Sequence, residues 1–391
     1  MKKYTPLDGL RWSRNSDSAL NNMPQTDVLG RAGGGNHHNA LGVVRALGRR
    51  GYQVELITIG NLRKNYIASS KYVCNHHALA DVKELASYLL YREAKKDKEI
   101  VISCADAVTE HLNLHYNRLS ERYILPGVKQ QGKMVDLMDK TTMIEMAAHK
   151  GINAPHIWTL PTDKEKVTFP CITKSYLSSH GGKSDIVICR SREQLDDFLE
   201  ENTDNVFVQP YIDKKEEVQF IGCSLNGGKD IIIPGMTKVL RSQPNTNTGF
   251  LEYGSIDPFY EDIVEHSKAY IRDCGYSGLF SIEFIRGKDD KVYFLETNFR
   301  NDGNAYCVTE SGVNLPVVWV KACLNEDYRS ELHKPKHIVV MPEFQDFKLV
   351  LQRRLSFSRW LKDLHRTDVF LEYTKDDKRP FFQFIIDKLK H

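Results

Sequence analysis

The pattern between residues 26 and 59 constrains the fold of this chain more than any other feature. Two apolar runs flank a glycine-rich turn and a helical pattern, over 26–29, 30–36, 39–47 and 52–59. A strand, a helix and a strand in this order form a βαβ unit, whose two strands lie parallel in one sheet. The apolar run 99–103 continues that sheet. The sequence therefore predicts an α/β domain over residues 1–125, with a polar extension at its N-terminal side.

The glycine-rich turn admits three interpretations. Such a turn can offer backbone N–H groups to the phosphates of a dinucleotide. However, Gly33-Gly34-Gly35 lacks the spacing of the dinucleotide fingerprint, and no acidic residue clearly ends the second strand. The turn could instead line a substrate pocket, with His37 and His38 as polar neighbours. A tight connection between strand and helix is the simplest expectation, and the substrate pocket is the alternative.

Charge and cysteine content exclude several classes of protein. Lys plus Arg number 54 and Asp plus Glu 51, so the formal charge is only +3 and a dedicated nucleic-acid binder is not expected. No apolar run approaches the ~20 residues of a membrane-spanning helix. The polar N-terminus does not resemble a signal peptide. The 8 cysteines form no CxxC pair, which argues against structural zinc and fits thiols in a reducing cytoplasm.

Lysines and glycines follow one another in an informative order through the middle of the chain. Lys140 opens a helical pattern, and Lys174 lies on a short apolar strand. The next turn contains Gly181, Gly182 and Lys183. Two antiparallel strands around such a turn can form a flap over phosphates, because glycine lets the backbone approach a ligand closely. Each lysine taken alone is typical of a solvated surface.

The stretch that follows has the composition of a buried strand. Residues 205–212 are largely apolar around Gln209, and the pair Glu216 and Glu217 precedes the next strand, 218–221. A core strand and a solvated charged turn are the simplest interpretations. In a nucleotide site, one of the two carboxylates would instead bind the ribose.

The strongest local signal is a predicted hairpin in which a polar turn joins two strand patterns. The strands would span 278–285 and 292–298. This hairpin brings Glu283 close to Glu296, and we expect Glu296, Asn298 and Arg300 to share one face because alternate strand residues point the same way. Carboxylate and amide oxygens suit Mg²⁺ bound together with phosphate oxygens, and an arginine adds an anion clamp. A solvated strand face is the competing interpretation.

Taken in order over residues 26–320, these motifs resemble the ATP-grasp superfamily. Glu296-Thr297-Asn298-Phe299-Arg300 looks like the motif of carbamoyl-phosphate synthetase and biotin carboxylase relatives. The N-terminal part looks more like the ATP-grasp ligases that include D-aspartate ligase. The resemblance implies a pre-ATP-grasp domain with a parallel sheet, a two-lobed α+β ATP-grasp domain and a short helical C-terminal region. These would span 1–125, 126–330 and 331–391.

The resemblance also implies a role for each matching residue. Lys140 and Lys174 would contact the phosphates of ATP. The flap would be Gly181, Gly182 and Lys183, and the backbone that holds adenine would be Gln209, Pro210, Tyr211 and Ile212. Glu217, with Glu216 as the alternative, would bind the ribose. The ligands of one or two Mg²⁺, with Mn²⁺ as the alternative metal, would be Glu283, Glu296 and Asn298. Glu283 stands where many relatives have aspartate.

The activity implied is that of an ADP-forming ligase. A carboxylate would attack the γ-phosphate of ATP, and an amine would displace phosphate from the resulting acyl phosphate. Arg300 would hold the acyl phosphate or the acceptor, and Arg241 is either a second anion clamp or an exposed strand-end residue. A bicarbonate-dependent carboxylase or carbamoyl-phosphate-synthetase-like enzyme and an ATP-binding sensor without turnover are the alternatives. Small-molecule acids and amines would be the substrates, and a homodimer is left open.

Beyond residue 330 the resemblance fades. A basic amphipathic helix is expected over 353–364, and a terminal apolar helix is expected near 380–386. Docking of this region on the enzyme is the primary expectation. A membrane-surface or partner helix and a dimer contact are the alternatives.

Overall fold

A computed structural model of the chain describes residues 25–31, 38–60, 65–175, 186–201, 206–243 and 246–389. This part of the chain combines a parallel sheet, two largely antiparallel sheets and many helices, so the α/β class expected from the sequence is confirmed. The predicted flap at 181–183 lies outside the described residues, as does the glycine-rich turn from 32 to 37. None of the described helices is both long and apolar enough to cross a membrane.

A parallel sheet forms the first part of the molecule. Its strands are β1 (Gln25–Arg31), β2 (Gln53–Ile59), β3 (Val73–Leu79), β4 (Glu99–Ser103) and β5 (Tyr123–Ile124). Its helices are α1 (Asn39–Gly48), α2 (Leu85–Tyr91), α3 (Asp106–Leu114) and α4 (Tyr116–Leu119). The strands lie in the order β3-β2-β1-β4-β5, and each neighbouring pair is parallel. The predicted βαβ unit is therefore confirmed, whereas β3 and β5 were not predicted.

The order of these strands reverses at β1, which has β2 on one side and β4 on the other. In open parallel sheets, ligands bind beyond the carboxyl ends of the strands at such a reversal, because the connections leave on opposite sides and open a crevice. Asp106 follows β4. The topology therefore brings this residue to the crevice beside β1.

The middle of the chain forms a small antiparallel sheet and the helices around it. The elements are α5 (Lys133–Leu137), α6 (Lys140–His149), β6 (Cys171–Ser175), β7 (Ile188–Cys189), α7 (Arg192–Glu201) and β8 (Val206–Pro210). The strands lie in the order β7-β6-β8. Trp158, which precedes this sheet in the chain, forms an isolated antiparallel bridge with Val208 of β8.

A large sheet forms the centre of the molecule. Its strands are β9 (Lys214–Leu225), β10 (Asp230–Ile232), β11 (Met236–Gln243), β12 (Thr246–Gly254), β13 (Gly278–Gly287), β14 (Val292–Asn298), β15 (Ile338–Met341) and β16 (Val369–Phe370). The helices along it are α8 (Glu261–Cys274), α9 (Tyr306–Glu310), α10 (Leu315–Cys323), α11 (Glu343–Leu351), α12 (Phe357–His365) and α13 (Arg379–Leu389). The order is β14-β13-β9-β11-β12-β15-β16, with β10 added beside β9. Since β15 pairs with β12, the C-terminal region is not purely helical, contrary to expectation.

The two faces of this sheet have different surroundings. Phe220, Phe280 and Phe284 point into a core that α6 and α8 cover. On the other face, Ile221 and Leu279 pack into a core shared with the first parallel sheet. Because side chains alternate along a strand, residues two and four positions further along β13 continue this second face. They are Ser281 and Glu283, so the face changes from apolar to polar where the site lies.

The C-terminal segment is tied to the first helix through a buried arginine. The Arg45 side chain is 0% exposed. It donates to the carbonyl oxygens of Leu371 at 3.2 Å, Glu372 at 2.7 Å and Asp377 at 3.0 Å, and to the Asp377 carboxylate at 3.2 Å. The Asp377 carboxylate also accepts from Ser70 Oγ at 2.7 Å. We call the segment 371–377 the strap, because it holds the C-terminal elements against α1.

Candidate active site

The predicted hairpin is formed by β13 and β14, and it contains a bulge. Phe284 lies opposite Phe294, and Glu283 lies opposite Glu296, so Leu295 is an extra residue on β14. A bulge of this kind changes which side the following residues face. Phe294 therefore points into the core, whereas Glu296 points to the polar face together with Glu283. Without the bulge, Phe294 and Glu296 would share a face.

Four polar side chains join across the strands at this place. Asn298 donates through Nδ2 to Glu283 Oε1 at 2.9 Å and to Ser281 Oγ at 3.2 Å. Gln219 on β9 donates to the same Glu283 oxygen at 3.4 Å. Glu283 and Asn298 are each 4% exposed. The sequence prediction that Glu283, Glu296 and Asn298 lie together is consistent with this geometry, while their role as metal ligands stays a prediction.

Two lysines face the carboxylates. The Asp139 carboxylate accepts from Thr142 N at 2.9 Å and caps α6, so the helix begins at Lys140. Lys140 Nζ then lies 3.5 Å from Glu296 Oε2. Burial raises the pKa of Glu296, but the positive charges of Lys140, Lys174 and Arg300 outweigh it, and the pKa is lowered overall. Burial and the nearby Lys140 charge lower the pKa of Lys174 to about 8.

Arg300 connects the hairpin with the crevice of the first sheet. It donates to Asn298 Oδ1 at 2.8 Å, to Asp106 Oδ1 at 3.1 Å and to Asp302 Oδ2 at 3.3 Å. Burial opposes its charge, yet Asp106, Asp302 and Glu283 raise the pKa of Arg300 above its ordinary value. Asp106 follows β4 at the point where the strand order reverses. The arginine therefore lies between the polar face of the large sheet and the crevice of the parallel sheet.

The loop after Arg300 is fixed to the first helix by paired amides. Asn39 at the start of α1 donates to the carbonyl oxygens of Asn301 at 2.7 Å and Cys104 at 2.9 Å. The Asn301 side chain donates back to Asn39 Oδ1. His38, which precedes this contact, is 1% exposed. Burial lowers the pKa of His38 to about 4, against the opposing effects of Glu343, the Gly303 backbone and Asp302. This loop is therefore held against the start of α1.

The two candidate ribose acids point to opposite sides of β9. Glu216 accepts from Tyr260 at 2.7 Å and lies 2.5 Å from Lys238, on the side of the aromatic core. Glu217 follows on the other side, two positions before Gln219, and lies 2.8 Å from Lys214. Burial favours the neutral form of Glu216. The hydrogen bonds that Glu216 accepts from Lys238, Tyr260 and Arg286 outweigh this effect and lower its pKa to about 2. The geometry argues against Glu216 and leaves Glu217 as the candidate.

The predicted adenine segment begins on β8. The Gln209 side chain is 1% exposed and donates to Pro155 O at 3.2 Å, so it is directed into the protein. This agrees with the expectation that only backbone groups of Gln209, Pro210, Tyr211 and Ile212 would contact a nucleotide. Tyr211 N is already bound to Pro170 O at 3.0 Å. The role of the other backbone groups stays a prediction.

Arg241 is not the exposed strand-end residue that was one of its two interpretations, since its side chain is only 18% exposed. It donates to both Asp346 oxygens, at 3.0 and 2.7 Å, and to Asp363 Oδ2 at 2.7 Å. Asp346 and Asp363 belong to α11 and α12 and are 0% and 1% exposed. Two carboxylates thus neutralise the guanidinium, which the structure assigns to anchoring these helices. A role of Arg241 in catalysis stays a prediction without support from these contacts.

Sequence reasoning missed several polar residues of the site. Gln219 Oε1 accepts a hydrogen bond from Asn304 Nδ2 at 3.1 Å. Asp302 Oδ2 accepts one from Ser281 Oγ at 3.1 Å. Gln219 lies two positions after Glu217 on β9 and therefore faces the same side of the sheet. This spacing could have indicated that Gln219 belongs to the site. Asp302 and Asn304 follow the hairpin motif without a recognisable spacing of their own.

The parallel sheet, the small antiparallel sheet and the large sheet that carries Glu283, Glu296 and Asn298 together have a fold similar to that of ATP-grasp proteins. The resemblance to the ATP-grasp superfamily inferred from the sequence is confirmed. Residues 252–347 match the family described as "ATP-grasp in the biosynthetic pathway with Ter operon". No curated protein matches the chain.

Several solved structures are similar to the chain over most of their length. An N5-carboxyaminoimidazole synthetase from Staphylococcus aureus has a TM-score of 0.62 at 14% identity, over 86% of this chain and 87% of that one. An L-amino acid ligase from Bacillus licheniformis has 0.60 at 15%, over 81% and 79%. A biotin carboxylase from Campylobacter jejuni has 0.62 at 14%, over 83% and 76%. At such identities the likeness establishes the fold.

Proposed function

We propose that the chain is an ATP-dependent ligase that activates a carboxylate as an acyl phosphate and joins it to an amine, releasing ADP and phosphate. One observation carries the proposal. Glu283 and Glu296 lie opposite each other on adjacent strands, and Lys140 Nζ approaches Glu296 at 3.5 Å. Carboxylates that face lysines can share a polyphosphate, through a metal on one side and direct ion pairs on the other. The description of the matched family as part of a biosynthetic pathway fits an amide-forming reaction.

The donor set fits Mg²⁺ held jointly with a nucleotide. Among the described residues, no group of three or more His, Cys, Asp or Glu side chains converges on one point. Mg²⁺ commonly takes one or two carboxylates and completes its shell with substrate phosphates and water. Glu283 and Glu296 would supply the carboxylates, and Asn298 an amide oxygen that now accepts from Arg300. When bound, the metal neutralises charge on the phosphates.

The side chains of the chain itself would carry the remaining steps. Lys140 and Lys174 would pair with phosphate oxygens and so stabilise the charge that develops on the transferred phosphoryl group. Glu217 would bind the ribose hydroxyls, and the segment 209–212 would position the adenine. Arg300 would orient the acyl phosphate, because its guanidinium lies 2.8 Å from Asn298 Oδ1 at the end of the hairpin. The acceptor amine would enter at the crevice of the first sheet, near Asp106.

The test is Mg²⁺-dependent release of ADP from ATP by the purified chain. Organic acids, amino acids and bicarbonate are supplied singly and in pairs. We expect ADP only with an acid and an amine together, and no ADP from Glu296→Gln. The matched control is Glu265→Gln, since this carboxylate lies on α8 with its side chain 69% exposed.

Each other result contradicts the proposal in a defined way. Release with bicarbonate alone would identify a carboxylase or carbamoyl-phosphate-synthetase-like enzyme. An ATP-induced rise in melting temperature without any ADP release would mean that the chain binds nucleotide, and that it is a sensor or that its substrate is absent from the set supplied. Unchanged turnover by Glu296→Gln, with a melting temperature equal to that of the unaltered chain, would refute the metal assignment.

A further inference from the structure

The segment 351–367 contains the surplus positive charge of the chain. Its basic residues are Arg353, Arg354, Arg359, Lys362 and Arg366, and its only acid is Asp363. Five positive charges minus one negative charge give +4, whereas the complete chain carries +3. All other residues together therefore carry −1, and the charge of this segment is a local property.

Asp363 does not neutralise the exposed cations of this segment, because its carboxylate is buried and is shared among several arginines. Asp363 is 1% exposed and accepts from Arg241 at 2.7 Å. Its oxygens also lie 3.4 Å from Arg359 Nε and 3.1 Å from Arg366 Nε. In the part of the chain that the structure describes, Arg353, Arg354 and Lys362 form no ion pair, and all three are exposed. Uncompensated cations therefore face the solvent.

Large apolar side chains are exposed beside these cations. Phe357 and Leu361 lie one turn apart on α12 and are 58% and 50% exposed, and Leu351 at the end of α11 is 71% exposed. Trp360 and Leu364 of the same helix turn towards the protein and line an aromatic groove of about 330 Å³. The apolar stripe of α12 is thus wider than the part that the protein covers.

We propose that this surface, formed by Leu351, Arg353, Arg354, Phe357, Leu361 and Lys362, binds the headgroup region of an anionic lipid bilayer. A helix with apolar side chains beside Lys and Arg lies in the plane of the interface, with the apolar residues inserted and the cations on lipid phosphates. The proposal goes beyond the ligase reaction and does not depend on it.

A bilayer fits this surface better than a protein partner does. Three separated apolar side chains form a smaller patch than the ~800 Å² that each partner contributes to a stable protein interface. A second copy of the chain would bring like charges together, which opposes association. A lipid surface accepts scattered apolar residues individually and supplies a continuous field of negative charge.

The experiment is co-sedimentation of the full chain with vesicles of phosphatidylcholine, with and without about 30% phosphatidylglycerol. We expect binding to the anionic vesicles and its loss at high salt, because surface charges are screened over about 3 Å at 1 M salt. Arg354→Glu with Lys362→Glu should weaken binding at least about tenfold, since each basic residue contributes about fivefold near an anionic surface. Phe357→Ser with Leu361→Ser should weaken it similarly.

Matched controls lie in the first sheet and its helices. Lys83→Glu reverses the charge of an exposed lysine, and Tyr91→Ser removes an aromatic side chain that is 90% exposed. Both positions are far from α12 in the sequence. All variants should keep the melting temperature of the unaltered chain. Equal binding to neutral and anionic vesicles, equal binding by the α12 variants and the controls, or no vesicle binding at all would overturn the proposal. Sedimentation velocity that shows a dimer lost in the α12 variants, without vesicle binding, would identify self-association instead.

Discussion

Two neighbouring carboxylates on β9 offer a test in which the same substitution should affect different properties of the protein at each position. Glu216 and Glu217 adjoin in sequence but point to different sides of the sheet. Glu216 belongs to a charged cluster with Lys238 and Arg286 over the aromatic core. Glu217 lies on the side of Gln219 and Glu283. Glu217→Gln should therefore weaken ATP binding, and Glu216→Gln should lower stability.

The expected loss for Glu217→Gln follows from its proposed bonds to the ribose. A hydrogen bond to a charged acceptor contributes about 1.5–3 kcal/mol and one between neutral groups about 1 kcal/mol. An amide in place of the carboxylate should therefore cost about 1–2 kcal/mol, which corresponds to about 5- to 30-fold in the dissociation constant of ATP. The ion pair lost with Lys214 is a surface contact worth less than about 1 kcal/mol. The melting temperature should consequently change little.

The expected loss for Glu216→Gln follows from its three partners. Lys238 lies at 2.5 Å, Arg286 at 3.1 Å and the Tyr260 hydroxyl at 2.7 Å. The Lys238 side chain is 45% exposed, so solvent screens much of this attraction. We therefore expect a decrease of about 1–2 kcal/mol in the free energy of unfolding. The affinity for ATP should stay within about twofold of the unaltered chain, because the carboxylate points away from the site.

Two measurements on the same preparations check this pair. Isothermal titration with a non-hydrolysable ATP analogue gives the affinities, and urea unfolding gives the stabilities. If Glu216→Gln weakened the nucleotide and Glu217→Gln did not, the assignment of the two faces would be wrong. If neither changed the affinity, the ribose would be held elsewhere.

Further predictions concern the buried charges. Arg45→Met should lower the free energy of unfolding by about 3–5 kcal/mol, because it leaves Asp377 buried without a counterion; the control Arg50→Met, at a side chain that is 52% exposed, should cost under about 1 kcal/mol in urea unfolding. Arg241→Gln should lower the melting temperature and leave turnover per folded molecule unchanged; lower turnover at an unchanged melting temperature would instead support an anion clamp. Glu216 contributes stability above its unfolded pKa of 4.5 and loses that contribution as the pH falls towards its folded pKa of about 2, so the difference between the unaltered chain and Glu216→Gln should disappear over that interval, as measured by urea unfolding against pH.

The sequence predicts those parts of the site that depend on local order. The βαβ pattern and the β13–β14 hairpin follow from alternation of apolar residues, which acts over a few positions. That Glu283 and Glu296 lie near each other also follows from the short turn between the strands, whereas their direct pairing depends on the Leu295 bulge. Lys140 is predictable as well, since Asp139 supplies a recognisable helix cap.

Contacts between distant segments could not be predicted in the same way. Arg241 is paired with Asp346 and Asp363, which lie more than 100 positions away, and no local pattern reveals that distance. The face of the sheet to which Glu216 or Glu217 points depends on the residue at which β9 begins. Two adjacent acidic residues at the start of a strand do not reveal that residue. The Leu295 bulge is hidden for another reason: an apolar residue inside an apolar strand gives no sign that it is unpaired.

The strap has a consequence for the order in which the chain can fold during its synthesis. Arg45 is made early, whereas the carbonyl and carboxylate groups that surround it belong to residues 371–377. Until those residues leave the ribosome, the arginine must stay hydrated, because a desolvated cation without partners costs several kcal/mol. The first helix can therefore form early but cannot reach its final packing. Although N-terminal parts generally fold first on the ribosome, here the parallel sheet should reach full resistance to proteolysis only after residues 371–377 have left the ribosome.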